Sequence, residues 1–280
     1  MKTVEEKYQR LLSILKEMDS VAVGYSGGVD STFLAKIAAD VLGGNALSVA
    51  AISDSFPQHE REEAEKFARN LGLNYITIDT SELDNPDYRK NDPNRCFYCK
   101  QELVRRLRAV ADEHGVKEIA LGTNLDDLGD YRPGQAAAKE GGARFPMVEA
   151  EMTKDDIRHL SKQLGIPTWD KPSFACLASR FPYGEEISKE KLERVGQAES
   201  VLRELGFRQF RVRSHDNIAR IEVLPNEMAK VILLREDITR LIRKAGFAYV
   251  AMDLLGYRTG SMNETLHQIR PAVADTKSNT

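Results

Sequence analysis

Strand-like apolar runs that alternate with helical patterns predict an α/β protein, with a parallel sheet in the first half of the 280-residue chain and a small α+β domain after it. Three observations carry this prediction. The apolar runs at 21–25, 46–52, 74–78 and 118–122 are separated by helical patterns at 31–42, 58–71, 100–114 and 132–140, the rhythm of βαβ units. The first run passes through two adjacent glycines directly into a helical pattern. Beyond residue 184 the order becomes helix, strand, strand, helices, strand.

The elements follow in order. Residues 1–20 form a charged amphipathic helix pattern without the apolar core of a signal peptide. The four strand–helix pairs come next. A helix over 153–164 is opened by Thr153-Lys154-Asp155-Asp156, a capping start, and ends at Gly165-Ile166-Pro167. Residues 168–184 are rich in Pro, Ser and aromatic side chains and read as a long functional loop. A helix over 185–205, strands at 207–213 and 218–223, helices over 227–245 and a strand at 248–254 make up the second part. The domains are therefore expected at 1–182 and 183–272, with a polar tail at 273–280.

Composition narrows the function. A chain with 41% hydrophobic and 30% charged residues is that of a soluble globular protein, and no run approaches the ~18 apolar residues that span a bilayer. A cytoplasmic protein is expected, with no membrane partner. The net charge of −3 supplies no electrostatic footprint for nucleic acid.

Chemistry concentrates in three places. Ser26-Gly27-Gly28-Val29-Asp30-Ser31 joins a strand to a helix, an arrangement that aims free backbone N–H groups at an anion. Glycines let the backbone approach that anion, Ser26 and Ser31 add hydroxyls, and Asp30 caps the helix within reach of a bound metal. No lysine follows the glycines and there is no G-x-G-x-x-G, so neither the common phosphate loop nor a dinucleotide fingerprint is present. The second place follows the fourth strand, from Gly122 to Gly134. It offers Asp126, Asp127, Asp130 and Arg132, carboxylates for Mg²⁺ and a guanidinium for phosphate. The third is the cysteine set, Cys96-Phe97-Tyr98-Cys99 and Cys176. A C-x-x-C pair alone is compatible with zinc, a redox disulfide or iron–sulfur. Structural zinc lacks a fourth ligand here, and a redox pair leaves Cys176 unexplained. Three thiolates suit a [4Fe–4S] cluster with one iron open. Cys176 lies between Lys171 and Arg180, cations expected to favour its thiolate.

The glycine motif resembles the SGGxDS pyrophosphate (PP) loop of the N-type ATP pyrophosphatases. That resemblance implies a PP-loop ATP pyrophosphatase domain, ATP cleaved between its α and β phosphates, and AMP passed to a substrate oxygen. It also places adenosine beside Ser53, at the end of the second strand, and Gly122, Asp127 and Arg132 beside the nucleotide. Taken together, SGGVDS, the 122–134 loop, Cys176-Leu177-Ala178-Ser179-Arg180 and the C-terminal strands are similar over nearly the full length to the LarE family. These are ATP-dependent sulfur transferases of nickel-pincer cofactor synthesis. The resemblance implies adenylation of a carboxylate of pyridinium-3,5-biscarboxylic acid mononucleotide and displacement of AMP by sulfur. It implies Mg²⁺ at Asp30 and Asp130, a sulfide or other sulfur donor, and a homo-oligomer. One branch of that family consumes the sulfur of the cysteine matching Cys176; another holds a [4Fe–4S] cluster on three cysteines, the pattern of Cys96, Cys99 and Cys176. Arg211 and Arg213 alternate on one strand and share a face. The resemblance implies that this face, with Glu199 and Glu222, binds the substrate's phosphate or a metal. Alternatives are an iron–sulfur tRNA thiolase, against which the net charge argues, and a non-catalytic nucleotide-binding module.

Overall fold

A computed structural model describes residues 2–129, 133–172 and 174–258. The expected tail at 273–280 and the candidates Asp130 and Arg132 lie outside these residues. The chain divides into two compact units. The first comprises Met1–Leu177 and Tyr183–Lys189, the second Ala178–Pro182 and the chain from Glu190 onward. The chain thus changes unit three times, at 177/178, 182/183 and 189/190, around the expected boundary at 182/183.

The first unit opens with α1 (Val4–Met18), whose N-terminus is closed by a Thr3–Glu6 capping box. Then come β1 (Val21–Gly24), α2 (Val29–Leu42), β2 (Ala46–Ile52), α3 (Gln58–Asn70), β3 (Tyr75–Asp79), α4 (Pro86–Arg89) and α5 (Arg95–Glu113). The unit continues with β4 (Glu118–Leu121), α6 (Pro133–Glu140), α7 (Pro146–Glu149) and α8 (Lys154–Gln163). The four strands pair in parallel in the order β3-β2-β1-β4. Alternate residues face opposite sides, as the pleat requires. Val21, Val23 and Ala120 pack with Leu11 and Leu15 of α1, Phe33 and Ile37 of α2 and Ile157 of α8. Ala22, Leu47, Val49, Ile119 and Leu121 pack with Val104, Leu107 and Ala111 of α5. Both faces are covered, which explains why these strands read as unbroken apolar runs.

One helix of this unit starts earlier than expected. α5 begins at Arg95, five positions before the expected start at 100, so the C-x-x-C pair occupies a helical turn instead of a preceding loop. Cys and aromatic residues have weak helix propensity, and the long amphipathic stripe behind them, with Val104, Leu107 and Ala111 buried, overrides it. α8 opens where predicted: Thr153 caps it through a reciprocal box with Asp156.

The second unit contains α9 (Lys189–Glu204), β5 (Phe210–His215), β6 (Ile218–Val223), α10 (Met228–Leu233), α11 (Arg235–Lys244) and β7 (Tyr249–Met252). β5 and β6 are antiparallel and β6 and β7 parallel, giving the expected small α+β unit. Among the described residues no helix is long and apolar enough to cross a membrane.

Two glycines position the loops after β1 and β4. Gly27 has φ +70°, and a Cβ there would lie 2.5 Å from Ala64 Cβ and 2.8 Å from Ala64 Cα on α3. Gly122 packs so tightly on the start of α2 that a Cβ would meet Ser31 N at 2.8 Å. Gly27→Ala therefore combines left-handed backbone strain with overpacking and should destabilise the protein by about 2–4 kcal/mol, read from the urea midpoint. A change within ~0.5 kcal/mol, the range of an ordinary surface substitution, would contradict this packing.

Candidate active site

The carboxyl ends of parallel strands collect the first set of candidates, as they do in open α/β sheets generally. At the end of β1, Ser31 Oγ closes the glycine loop. It accepts a hydrogen bond from Ser26 N at 3.1 Å, lies 3.0 Å from Ser26 Oγ, and donates to Gly28 O at 3.3 Å. Gly28 is the N-cap of α2 and has no side chain, so the first turn of the helix receives no side-chain cap from it.

Asp30 sits in the first turn of α2. Its carboxylate accepts from Asn124 Nδ2 at 3.3 Å and pairs with Lys154 Nζ at 2.5 Å. Asn124 and Lys154 carried no motif signal of their own; they reach Asp30 because the loop after β4 and the start of α8 lie beside the first turn of α2. In the loop after β4, Asp127 accepts from the Asn124 amide at 3.1 Å and Asp126 from the Lys154 amide at 2.7 Å. Asp126 and Asp127 thus organise the backbone, and Asp30 is the carboxylate beside the glycine loop. Ser53, after β2, lies 3.0 Å from Ser55 through their hydroxyls.

Lys171 joins this site from a distant stretch of sequence. Its ammonium is nearly buried and pairs with Glu60 at 2.9 Å and Glu63 at 2.5 Å on α3. It also donates to Gly27 O at 3.3 Å. Burial alone would push the Glu60 carboxyl up, but hydrogen bonds from His59 and Lys171 outweigh it and hold it down at about 2.

The cysteines occupy the neighbouring edge. None of the three is in a disulfide. Cys99 lies 3.6 Å from Glu82 Oε1, which also accepts from Thr80 Oγ1 at 3.3 Å. Burial, then Glu82 and Cys176, push the Cys99 thiol well above its ordinary range, and burial pushes Glu82 up as well. The Tyr88 phenol is raised by burial and by the charges of Cys176 and Cys99. Arg95, buried behind the C-x-x-C turn and bonded to Asn91, interacts electrostatically with Cys176 and Cys96. The expected role of Lys171 and Arg180 as partners of Cys176 needs correction. Lys171 is held by Glu60 and Glu63, and Arg180 by Glu199. A cation whose charge reaches Cys176 and Cys96 is Arg95 of α5. Among the described residues no three His, Cys, Asp or Glu side chains are grouped tightly enough to enclose a single metal ion.

The second unit holds an arginine–carboxylate lattice. Arg180 makes a fully buried bidentate pair with Glu199 at 2.8 and 3.0 Å, and Val212 N donates to the same carboxylate at 3.0 Å. Arg213 reaches Glu222 at 2.8 Å and Ser179 O at 3.0 Å. Arg220 lies 3.2 Å from Glu222 and also binds Asp253. Arg211 stacks 5.1 Å from the Tyr257 ring centroid. Burial lowers its affinity for a proton, and the positive charges of Arg180 and Arg213 lower it further. Glu199 and Glu222, expected beside a metal or phosphate, are thus each held by guanidinium groups.

Two outcomes follow from the first unit. Asp30→Ala should abolish formation of AMP and pyrophosphate, because it removes the only side-chain carboxylate that α2 carries in its first turn. Wild-type AMP release from the variant, with substrate present, would separate the loop from ATP. Glu60 gives a pH signature. Its carboxyl is depressed from 4.5 to about 2, so its contribution to stability is complete above pH 4.5 and is lost as pH falls through about 2. Glu60→Gln should cost ~3 kcal/mol near neutral pH. The gap to wild type in urea unfolding should shrink as pH falls below 4.5; a gap that stays constant would show that Lys171 does not hold the charge.

Comparisons with known proteins agree with this geometry. The NAD synthase family profile matches residues 8–179, which contain both the glycine loop and the cysteines. An uncharacterised protein of Synechocystis is 45% identical over 94% of this chain and 99% of its own length. The pyridinium-3,5-bisthiocarboxylic acid mononucleotide synthase of Lactiplantibacillus plantarum is 37% identical over 95% of this chain and 97% of its own. A glutamine-hydrolysing GMP synthase of Thermus thermophilus is 29% identical over 73% of this chain but only 45% of its own length. With a relative of that name matched over nearly the full length of both chains, the chain belongs to the family of pyridinium-3,5-bisthiocarboxylic acid mononucleotide synthases, ATP-dependent sulfurtransferases built on a PP-loop domain of NAD synthase type.

Proposed function

We propose that this enzyme activates a carboxylate of pyridinium-3,5-biscarboxylic acid mononucleotide with ATP and replaces the resulting AMP with sulfur, drawn through a [4Fe–4S] cluster on Cys96, Cys99 and Cys176. The substrate is the carboxylate counterpart of the product named for the Lactiplantibacillus relative. In the first step the carboxylate oxygen attacks the α-phosphorus and pyrophosphate leaves. In the second a hydrosulfide attacks the acyl carbon, AMP leaves with the C–O bond electrons, and the sulfur loses its proton. The amides of Gly27 and Gly28 and the hydroxyls of Ser26 and Ser31 hold the departing pyrophosphate. Asp30 is the described carboxylate best placed for Mg²⁺; the family resemblance adds Asp130 for the metal and Arg132 for the nucleotide. Lys154 pairs with that carboxylate. Ser53 and Gly122 flank the adenosine.

What supports the sulfur reading is that thiols from two sequence regions interact electrostatically, Cys99 with Cys176 and Cys96, and that buried Arg95 interacts with Cys176 and Cys96. Soft thiolates suit iron–sulfur ligation, and a cluster whose thiolates bind different irons needs wider spacing than a single ion. When bound, the cluster supplies an open iron site able to carry sulfide. Arg95 offsets the negative charge of the thiolates, and Tyr88 and Glu82 line their inner side.

In the second unit, Arg211 and Arg213 are the residues for the substrate phosphate. Arg180, Arg211, Arg213, Arg220 and Arg258 outnumber Glu199, Glu222 and Asp253, an imbalance that favours a dianion. Exposed Leu233, Tyr249, Leu254 and Leu255 on this unit support a homo-oligomer.

Anaerobic purification tests the cluster. About four irons per chain are expected, strongly depleted by any one Cys→Ser change. Cys176 should keep its mass through repeated turnover with added sulfide. Conversion of Cys176 to dehydroalanine after one turnover, with Cys96→Ser and Cys99→Ser still active, would replace the cluster with sacrificial donation.

A further inference from the structure

The stretch that leads to Cys176 is anchored at both ends to elements that shape the nucleotide loop. At one end, Arg158 of α8 donates to Trp169 O at 2.6 Å and Lys171 O at 3.1 Å. At the other, Leu177 N donates to Ser55 O at 2.9 Å, just beyond β2. Between them, the Phe174 ring meets Phe56 edge-on at 6.0 Å, ahead of α3. α3 in turn contacts the glycine loop, through Ala64 against Gly27 and through Tyr25 Oη donating to Ala64 O at 3.0 Å.

Lys171 touches both sides of this assembly. Its ammonium binds Glu60 and Glu63 on α3, lies 5.5 Å from the Phe67 ring centroid, and donates to the Gly27 carbonyl. That carbonyl has a particular consequence. The peptide joining Gly27 to Gly28 is trans and planar, so fixing Gly27 O on one side fixes the Gly28 N–H on the other. A glycine–glycine peptide is otherwise among the freest in a chain. Lys171 therefore sets the orientation of an amide needed to meet the anion, while its own backbone begins the stretch that carries Cys176. Five positions separate the two residues.

We propose that Lys171 is a positioning residue that couples nucleotide occupancy of the glycine loop to the placement of Cys176. An anion on the loop loads the Gly27–Gly28 peptide, Lys171 transmits that load through its main chain, and the α3 carboxylates keep the ammonium from drifting to solvent. The purpose of this coupling rests on the proposed role of Cys176 in sulfur handling; the coupling itself is measurable without it.

The test uses the full chain without iron. Iodoacetamide labelling of Cys176 is followed by peptide mass spectrometry, with and without a saturating non-hydrolysable ATP analogue and Mg²⁺. Exposed Cys96 serves as an internal reference. In the wild type the nucleotide should change the Cys176 labelling rate about fivefold or more, within the usual range of site–site coupling. In Lys171→Met the response should fall below ~2-fold, and Lys171→Arg, which keeps the cation, should restore most of it. A residue that merely stabilised the fold would lower the melting temperature and leave this response intact. Should Lys171→Met fail to fold, Glu63→Gln loosens the same ammonium from the half-exposed side and should give an intermediate response. An unresponsive wild type, or a variant that responds as the wild type does, overturns the proposal. Iron analysis and product assays on the wild type test the sulfur reading separately, and their failure leaves the labelling result standing.

Discussion

A loop that binds pyrophosphate must leave its amides unpaired with the chain and yet hold them still. These demands conflict, because unpaired glycine amides are the most mobile groups in a polypeptide. Steric confinement resolves the conflict here. Gly27 packs on Ala64 and Gly122 packs on Ser31 at distances that leave no room for a Cβ. The loop is held by its neighbours' backbones, and the rest of the first unit keeps those neighbours in place. α3 sits where Ala64 can meet Gly27, and β4 runs beside β1 so that Gly122 can meet the start of α2.

Charges refine this arrangement. Asp30 is held by Asn124 and Lys154, and Glu60 and Glu63 hold Lys171 against the Gly27 carbonyl. Each ion pair near the loop is part of a network with backbone partners, the condition under which partly buried charges contribute more than exposed pairs do. The cysteine edge follows a different rule. Burial, then Glu82 and Cys176, disfavour the Cys99 thiolate.

The two units gather different side chains. The first carries the glycine loop and the thiols. The second concentrates guanidiniums and carboxylates on β5 and β6, where each carboxylate already has an arginine and the arginines remain in excess. Burial, with the positive charges of Arg180 and Arg213, disfavours the Arg211 cation.

Much of this was written in the chain. Apolar runs at 21–25 and 46–52 became β1 and β2, and Thr153 with Asp156 formed the expected cap, because these patterns depend on neighbours within a turn or a strand. SGGVDS was legible for the same reason: a strand–loop–helix junction is local. The helical start at Arg95 was not legible, since it rests on the packing of Val104 and Leu107 against the sheet. Nor were Lys154, Asn124, Glu82 and Arg95, ordinary polar residues that acquire roles only through what the fold sets beside them. Lys171 and Arg180 show the limit most clearly. Sequence put both next to Cys176, whereas carboxylates distant in sequence, Glu60, Glu63 and Glu199, claimed them. Proximity along the chain sets which charges are available; only the tertiary structure decides which of them meet, because a desolvated cation goes to the carboxylate buried with it.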